Sequence, residues 1–219
     1  MGGRTMNQLF GIPYYHGEIS TNDYDKQYFV ETITENYTRN PERNRWDHGL
    51  HHHSNIHQSF RDVGNESFIK LDYSKIMPVY GEHIKKFMTQ LGIVDKVSAS
   101  FVIANYTCMK SGQFLREHRH GDADFSGVHY IKFNSQDHSP TYYNNLGMHP
   151  FFLSVVNDVL VSSLEGTGND SWAKDYMTVP TKEDDIIIFP GFLQHYVPPF
   201  ESDELRMVVA FNVKVHAKQ

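Results

Sequence analysis

Asp185-Ile186-Ile187-Ile188-Phe189-Pro190-Gly191 is a short apolar run stopped by a Pro-Gly pair, and Arg206-Met207-Val208-Val209-Ala210-Phe211-Asn212-Val213-Lys214-Val215 is a long β-branched one. Each reads as a strand bounded by turn residues rather than as part of a helix. The pattern extends upstream. Val97, Ala99, Phe101 and Ile103 alternate with Ser98, Ser100, Val102 and Ala104. Residues 127–133 alternate again, with Val128 and Tyr130 on one side and His129, Ile131 and Phe133 on the other. Short strands separated by Gly, Pro, Asn and Asp turns predict an antiparallel sandwich or jelly roll from residue 95 onward, and the double-stranded β-helix form of the jelly roll is the expected fold class.

The first third has another texture. A strand is expected near Leu9-Phe10-Gly11-Ile12-Pro13-Tyr14-Tyr15, and a helix capped by Ser20 or Thr21 through about Thr38, with Phe29, Val30, Ile33 and Tyr37 on one face. Ile84, Phe87, Met88 and Leu91 recur at helical spacing, and Gly92 stands where that helix ends. Residues 39–60, which include His51-His52-His53, read as polar loop, and 154–164 fits strand or helix equally. The expected organisation is one domain over 1–219, with a helical and looped part (1–94) lying on the jelly-roll core (95–219).

Composition narrows the function. The net charge is -6 with acidic and basic residues interspersed, so no basic stripe marks a nucleic-acid surface. A single cysteine, Cys108, rules out an internal disulfide and a thiolate metal cluster. With no leader or membrane-length apolar segment, the cytoplasm is the expected compartment. The 14 histidines make metal ligation more plausible and chance patterns more common, so only constellations carry weight.

One constellation stands out. In Arg116-Glu117-His118-Arg119-His120-Gly121-Asp122-Ala123-Asp124, an extended backbone sends His118, His120 and Asp122 to one face. Either His118-x-His120 or His120-x-Asp122 could supply two ligands and His195 a third. Two histidines and a carboxylate on one face of an octahedral metal leave positions open for a chelating cosubstrate and dioxygen. If 195–206 is a hairpin centred near Phe200 and Glu201, Arg206 falls almost opposite His195. Its planar fork suits a carboxylate held just beyond the metal. Tyr130 is a candidate donor to the same carboxylate, and residues 139–145 a candidate lid. Cys108 reads as a small buried hydrophobe.

These segments resemble a known family. Gln113-Phe114 through His118-x-His120, then Phe125-Ser126-Gly127-Val128-His129-Tyr130-Ile131, the run 185–195 and Arg206 through Phe211-Asn212 are similar to 2-oxoglutarate/iron(II) oxygenases found in many phages and marine bacteria. Ala104-Asn105-Tyr106 and Gly112-Gln113-Phe114 more distantly resemble prolyl 4-hydroxylases. The resemblance implies a dioxygenase using iron(II), 2-oxoglutarate and O2, releasing succinate and CO2 as it hydroxylates an unidentified substrate. It implies metal ligands among His118, His120, Asp122 and His195, with Arg206 and Tyr130 toward 2-oxoglutarate, and a phage-encoded enzyme would act in its host's cytoplasm. The alternative is a cupin-like enzyme or metal-binding module without 2-oxoglutarate. The N-terminal third is a candidate dimer contact.

Overall fold

The computed structural model describes residues 11–41, 47–48, 51–52, 54–59, 68–145 and 176–218. Leu9, Phe10, the side chains of His51-His52-His53 and the ambiguous 154–164 lie outside them.

The strands are β1 (Tyr15–Glu18), β2 (Asp47–His48), β3 (His51–His52), β4 (Ser54–Asn55), β5 (His57–Gln58), β6 (Val97–Met109), β7 (Phe114–His118), β8 (Phe125–Lys132), β9 (Tyr142–Asn144), β10 (Tyr176–Thr178), β11 (Asp185–Pro190), β12 (His195–Val197) and β13 (Arg206–Ala217). The helices are α1 (Lys26–Arg39) and α2 (Met77–Gln90). Two antiparallel sheets form the jelly roll, in the orders β1-β11-β8-β13-β6-β5 and β10-β9-β12-β7-β4, with β2 and β3 a separate pair. The expected jelly roll is present.

Alternation assigns the two faces of the larger sheet. Ile131 on β8, Ile186 and Ile188 on β11, and Met207, Val209, Phe211 and Val213 on β13 bury under α1 and α2. Their neighbours Val128, Tyr130, Ile187, Phe189 and Val208 bury on the opposite face, toward the smaller sheet. On β13 the same parity turns Arg206 and Asn212 inward with Val208. The side chains available to a site between the sheets are therefore settled by strand period alone.

The helices cover the outer face. In α2, Tyr80, Ile84, Phe87 and Met88 are buried, and the Tyr80 ring stacks on Phe211 at 4.5 Å. Gly92 sits at φ 71, in the left-handed turn that ends a helix, where a side chain is disfavoured. Helix α1 begins later than expected, because Asp25 rather than Ser20 or Thr21 caps it, accepting from Tyr28 N at 3.0 Å. The N-terminal strand is Tyr15–Glu18, just beyond the Pro13 break. The region expected to be loop supplies β4 and β5, one at an edge of each sheet.

Gly127 explains the Ser-Gly-Val pattern. It pairs with Phe211, and a Cβ there would lie 2.1 Å from that ring. Because Phe211 is pinned beneath Tyr80, Gly127→Ala should cost about 1–3 kcal/mol of overpacking. Its melting temperature should fall by about 2–12 °C in a thermal scan. An unchanged value would mean that the ring moves freely.

Candidate metal centre

The smaller sheet creates the site. Strands β7 and β12 pair antiparallel with His118 directly opposite His195. Strand β7 ends at His118, and the chain turns at Gly121 and Asp122. His120 lies in the exit from the strand, its N–H donating to Gly191 O at 2.8 Å, while Gly191 N donates to Asp124 O at 3.0 Å. A Cβ on Gly191 would meet Ala123 O at 2.3 Å, so this close approach needs glycine.

Three imidazoles consequently converge. The ring centres of His118 and His195 are 4.3 Å apart, those of His118 and His120 5.1 Å, and those of His120 and His195 5.2 Å. One potential ligand atom from each lies within 4.8 Å of the others. Asp122 does not join them. The period-two argument that placed it beside His120 fails because the strand has already ended, and its side chain is exposed in the turn. Asp124 is turned away to the β13 edge, where it accepts from Val215 N at 2.8 Å.

Hydrogen bonds orient the rings. His118 Nδ1 is 2.8 Å from Arg116 O, and His195 Nδ1 is 2.9 Å from Leu193 O. A carbonyl only accepts, so both rings carry hydrogen on Nδ1, the tautomer in which Nε2 carries the lone pair that a metal would take. His120 Nδ1 is 3.2 Å from Asn212 Nδ2, while Asn212 Oδ1 accepts from Ser126 Oγ at 2.9 Å. A half-turn of this carboxamide would give its oxygen to His120 and place that ring in the same tautomer. In the sequence Asn212 stands out only as part of the family resemblance. Its place beside His120 depends on β13 lying next to β8, which local sequence does not reveal.

Burial keeps the imidazoles neutral, as metal ligation requires. It is the largest influence on all three. His120 is brought down to about 4, with His118 adding repulsion and Asp122 a weaker opposing pull. His118 is lowered, and His195 is held well below its ordinary range, by burial and then by His118. Away from the cluster, His129 falls to about 3, by burial and then by Lys26 and His83. Each depressed group binds fewer protons folded than unfolded near the ordinary imidazole value, so the associated stability is present above about pH 6.5. It is lost as pH falls from there through 4 and toward 3. Urea midpoints of the metal-free protein should decline steadily from pH 7 to 4, and a flat profile would contradict neutral buried rings.

Arg206 stands at the inner end of β13 and is 1% exposed. Its Nε donates to Ser139 O at 2.9 Å and its Nη1 faces Met109 Sδ at 3.8 Å, but Nη2 has no partner. The Tyr130 and Phe133 rings lie 5.3 Å and 5.8 Å from the guanidinium carbon. Burial pulls its pKa below the ordinary value, yet an arginine retains its charge. A buried cation with an unused donor is costly unless an anion completes it.

The expected His195–Arg206 hairpin is not how these residues come together. β12 belongs to the smaller sheet and β13 to the larger, so the intervening loop crosses between sheets. Tyr130 lies beside Arg206 and bonds within the protein. Its hydroxyl donates to Thr141 Oγ1 at 2.9 Å and accepts from Thr141 N at 3.2 Å, while its ring lies against Arg206. Tyr143 offers the free group. It pairs with His195, its ring is 6.2 Å from that imidazole, and its buried hydroxyl has no partner. Residues 142–144 form strand β9 rather than part of a lid. A cleft of about 740 Å³ elsewhere is lined by residues including His16, Lys182 and Asp185, and by none of the three clustered histidines.

Cys108 is fully buried, and burial raises its pKa, as suits an inert thiol. Among the described residues no helix is long and apolar enough to cross a membrane.

Comparisons with known proteins bear on the fold and the family. No curated protein sequence matches the chain. The structure is similar to a Pseudomonas putida prolyl-4-hydroxylase, with 11% identity, TM-score 0.53 and 92% of each chain covered. It is also similar to a viral collagen prolyl hydroxylase from Paramecium Bursaria Chlorella virus-1, crystallised with 2-oxoglutarate. There the identity is 12%, the TM-score 0.50, and the coverage 91% of this chain and 94% of that one. A non-heme alpha ketoglutarate dependent carbocyclase from nogalamycin biosynthesis aligns at 11% identity and TM-score 0.54, covering 94% and 80%. At these identities the structural likeness speaks for the fold. The family is carried by residues 105–212, which match the 2OG-Fe(II) oxygenase profile and include the three histidines, Arg206 and Asn212. Over that region, just under half of its length, the chain matches the 2OG-Fe(II) oxygenase family, a family of oxidoreductases that use iron(II) and 2-oxoglutarate.

Proposed function

We propose that the protein binds iron(II) through Nε2 of His118, His120 and His195, and 2-oxoglutarate with its far carboxylate on Arg206 and Tyr143, to hydroxylate an unidentified substrate. The observation that carries this reading is the pairing of three convergent imidazoles with a buried guanidinium whose Nη2 lacks a partner. The donor chemistry fits both groups. Imidazole suits iron(II), and three ligands leave positions for a bidentate oxo acid and O2. A carboxylate matches the open guanidinium donor, and the Tyr143 hydroxyl supplies a second one.

Bound iron would supply activation of O2, coupled to conversion of 2-oxoglutarate to succinate and CO2 and to insertion of one oxygen atom into a C–H bond of the substrate. The polypeptide's part is positioning. Carbonyl-pinned rings hold the metal in place, Arg206 sets the direction of the chelating end, and Thr141 fixes the Tyr130 ring beside Arg206. Val128, Phe189, Leu193 and Val208 form an apolar wall that keeps water off the site.

The test is anaerobic titration of metal-free protein with iron(II) and then 2-oxoglutarate, followed by the visible charge-transfer band of a chelated oxo acid. Succinate is assayed after air is admitted. A band with succinate release supports the reading. Iron binding with neither would leave a metal-dependent jelly roll of another chemistry. Tyr143→Phe should weaken 2-oxoglutarate binding by about 10–150-fold, the worth of one hydrogen bond from a neutral donor to a buried charge, and leave iron affinity unchanged. Equal affinity for the cosubstrate would remove Tyr143 from the pocket.

A further inference from the structure

We propose that His138 is a positioning residue for Arg206. It pins the turn that carries Ser139 to the loop between β12 and β13, and it does so only while its ring is neutral. The consequence for 2-oxoglutarate rests on the proposed function, whereas the latch itself is tested without it.

The argument starts from the bond that holds the guanidinium. Arg206 Nε donates to Ser139 O at 2.9 Å, so the direction of Nη2 depends on where residue 139 stands. Ser139 follows a tight turn at the end of β8. In it Asp137 N and His138 N both donate to Asn134 O, at 3.3 Å and 2.8 Å, and Asn134 Nδ2 donates to Asp137 Oδ2 at 2.6 Å. His138 fastens this turn to the neighbouring loop. It is 4% exposed, its Nε2 lies 3.1 Å from Glu204 O, and its ring centre is 5.0 Å from that of Phe200. On its other side stands Phe133, 5.7 Å away, the ring that also borders the guanidinium. Ser139 Oγ adds a longer bond to Pro199 O at 3.4 Å.

The two bonds of the imidazole fix its protonation. Asn134 N donates to Nδ1 at 3.0 Å, which requires a lone pair there. Glu204 O can only accept, which requires a hydrogen on Nε2. The neutral Nε2–H tautomer alone satisfies both. A second proton would set Nδ1–H against the Asn134 N–H and place another cation beside Arg206.

The charged groups around the ring are Asp137 in its own turn, Glu204 on the β12–β13 loop and Arg206 on β13. Lys132 at the end of β8 is 3.6 Å from Glu204 Oε2. Burial is the largest influence on His138 and holds its pKa below the ordinary value. The bond to Glu204 O pulls the other way, Arg206 adds to the lowering, and the Glu204 and Asp137 carboxylates oppose it. The pinned state therefore binds fewer protons than the released one. The latch is held above about pH 6.5, the ordinary imidazole value, and released as pH falls below it.

Two measurements test this. In metal-free protein, nitrogen-15 NMR follows the Arg206 Nε–H, identified by its loss in Arg206→Met. Its exchange with solvent should quicken by about tenfold or more in His138→Ala, because the bond to Ser139 O opens more often. In cobalt(II)-loaded protein under nitrogen, calorimetry gives the dissociation constant for 2-oxoglutarate as pH is lowered from about 7.5 to about 5.5. At the upper end His138→Ala should bind about two- to tenfold more weakly than the wild type, the worth of one neutral hydrogen bond. The ratio of the two constants cancels whatever happens at the three clustered imidazoles. It should shrink toward one below about pH 6.5.

His138→Gln keeps a donor for Glu204 O and does not titrate, so it should lie between the two at the upper end and hold a fixed ratio to His138→Ala at every pH. It also carries the comparison with wild type should His138→Ala fold poorly by circular dichroism. A variant-to-wild-type ratio that stays constant with pH overturns the proposal, and so does equal Arg206 Nε–H exchange in wild type and variant. If cobalt-loaded wild type binds no 2-oxoglutarate, the proposed function fails and the exchange measurement alone decides for or against the latch.

Discussion

Arg206→Met should raise the dissociation constant for 2-oxoglutarate by at least about thirtyfold in metal-loaded protein while the fold stays intact. Truncating one partner of a buried, hydrogen-bonded charge pair costs about 2–5 kcal/mol, and about 1.4 kcal/mol corresponds to each factor of ten. The geometry places Arg206 in that class. It is 1% exposed, Nε is fixed on Ser139 O, and the Tyr130 and Phe133 rings hem in the guanidinium. Nη2 is left as a donor for an incoming carboxylate. Methionine keeps most of the length and removes a buried charge, so metal-free stability should hold or rise. Arg206→Lys should fall between the two, since a point charge lacks the fork. Calorimetry of 2-oxoglutarate into the cobalt-loaded variants reads the effect, and a wild-type constant in Arg206→Met would place the carboxylate elsewhere.

The path from sequence to this site shows what local pattern can carry. Strands β8, β11 and β13 were legible because they alternate or run apolar between Gly and Pro, and α2 because Ile84, Phe87, Met88 and Leu91 keep helical spacing up to Gly92. The side of β8 that faces the site also follows from its alternation. Relations between strands were not legible. His195 and Arg206 looked like hairpin partners because they flank a loop, yet that loop changes sheets. Asp122 looked like a neighbour of His120 because an extended chain was assumed to continue, whereas β7 stops at His118. Tyr143 and Asn212 reach the centre through pairings with β12 and β8, contacts between segments far apart in the chain. Local propensity contains no information on them.

The second large effect concerns the metal. His195→Ala should lower cobalt(II) affinity by more than about a hundredfold, because losing a ligand exceeds the roughly 10–100-fold cost of losing a ligand's hydrogen-bond partner. His195 is the ligand that the fold holds most firmly. It is 4% exposed, opposite His118 on β7 and Tyr143 on β9, and its Nδ1 is committed to Leu193 O. Its only unassigned ring atom is therefore Nε2. A thermal-shift experiment reads the loss without reference to catalysis. Metal at about a hundred times its dissociation constant stabilises the folded state by about 2.7 kcal/mol. For a chain of this length that is a rise of roughly 5–11 °C in melting temperature. The same concentration should leave His195→Ala within about 1 °C of its metal-free value, because a hundredfold weaker site is only half filled. His16→Ala, at a half-exposed ring paired with Asp185, should respond to cobalt as the wild type does. A full thermal shift in His195→Ala would mean that cobalt is held outside the β7–β12 pair, and the three-imidazole centre would have to be abandoned.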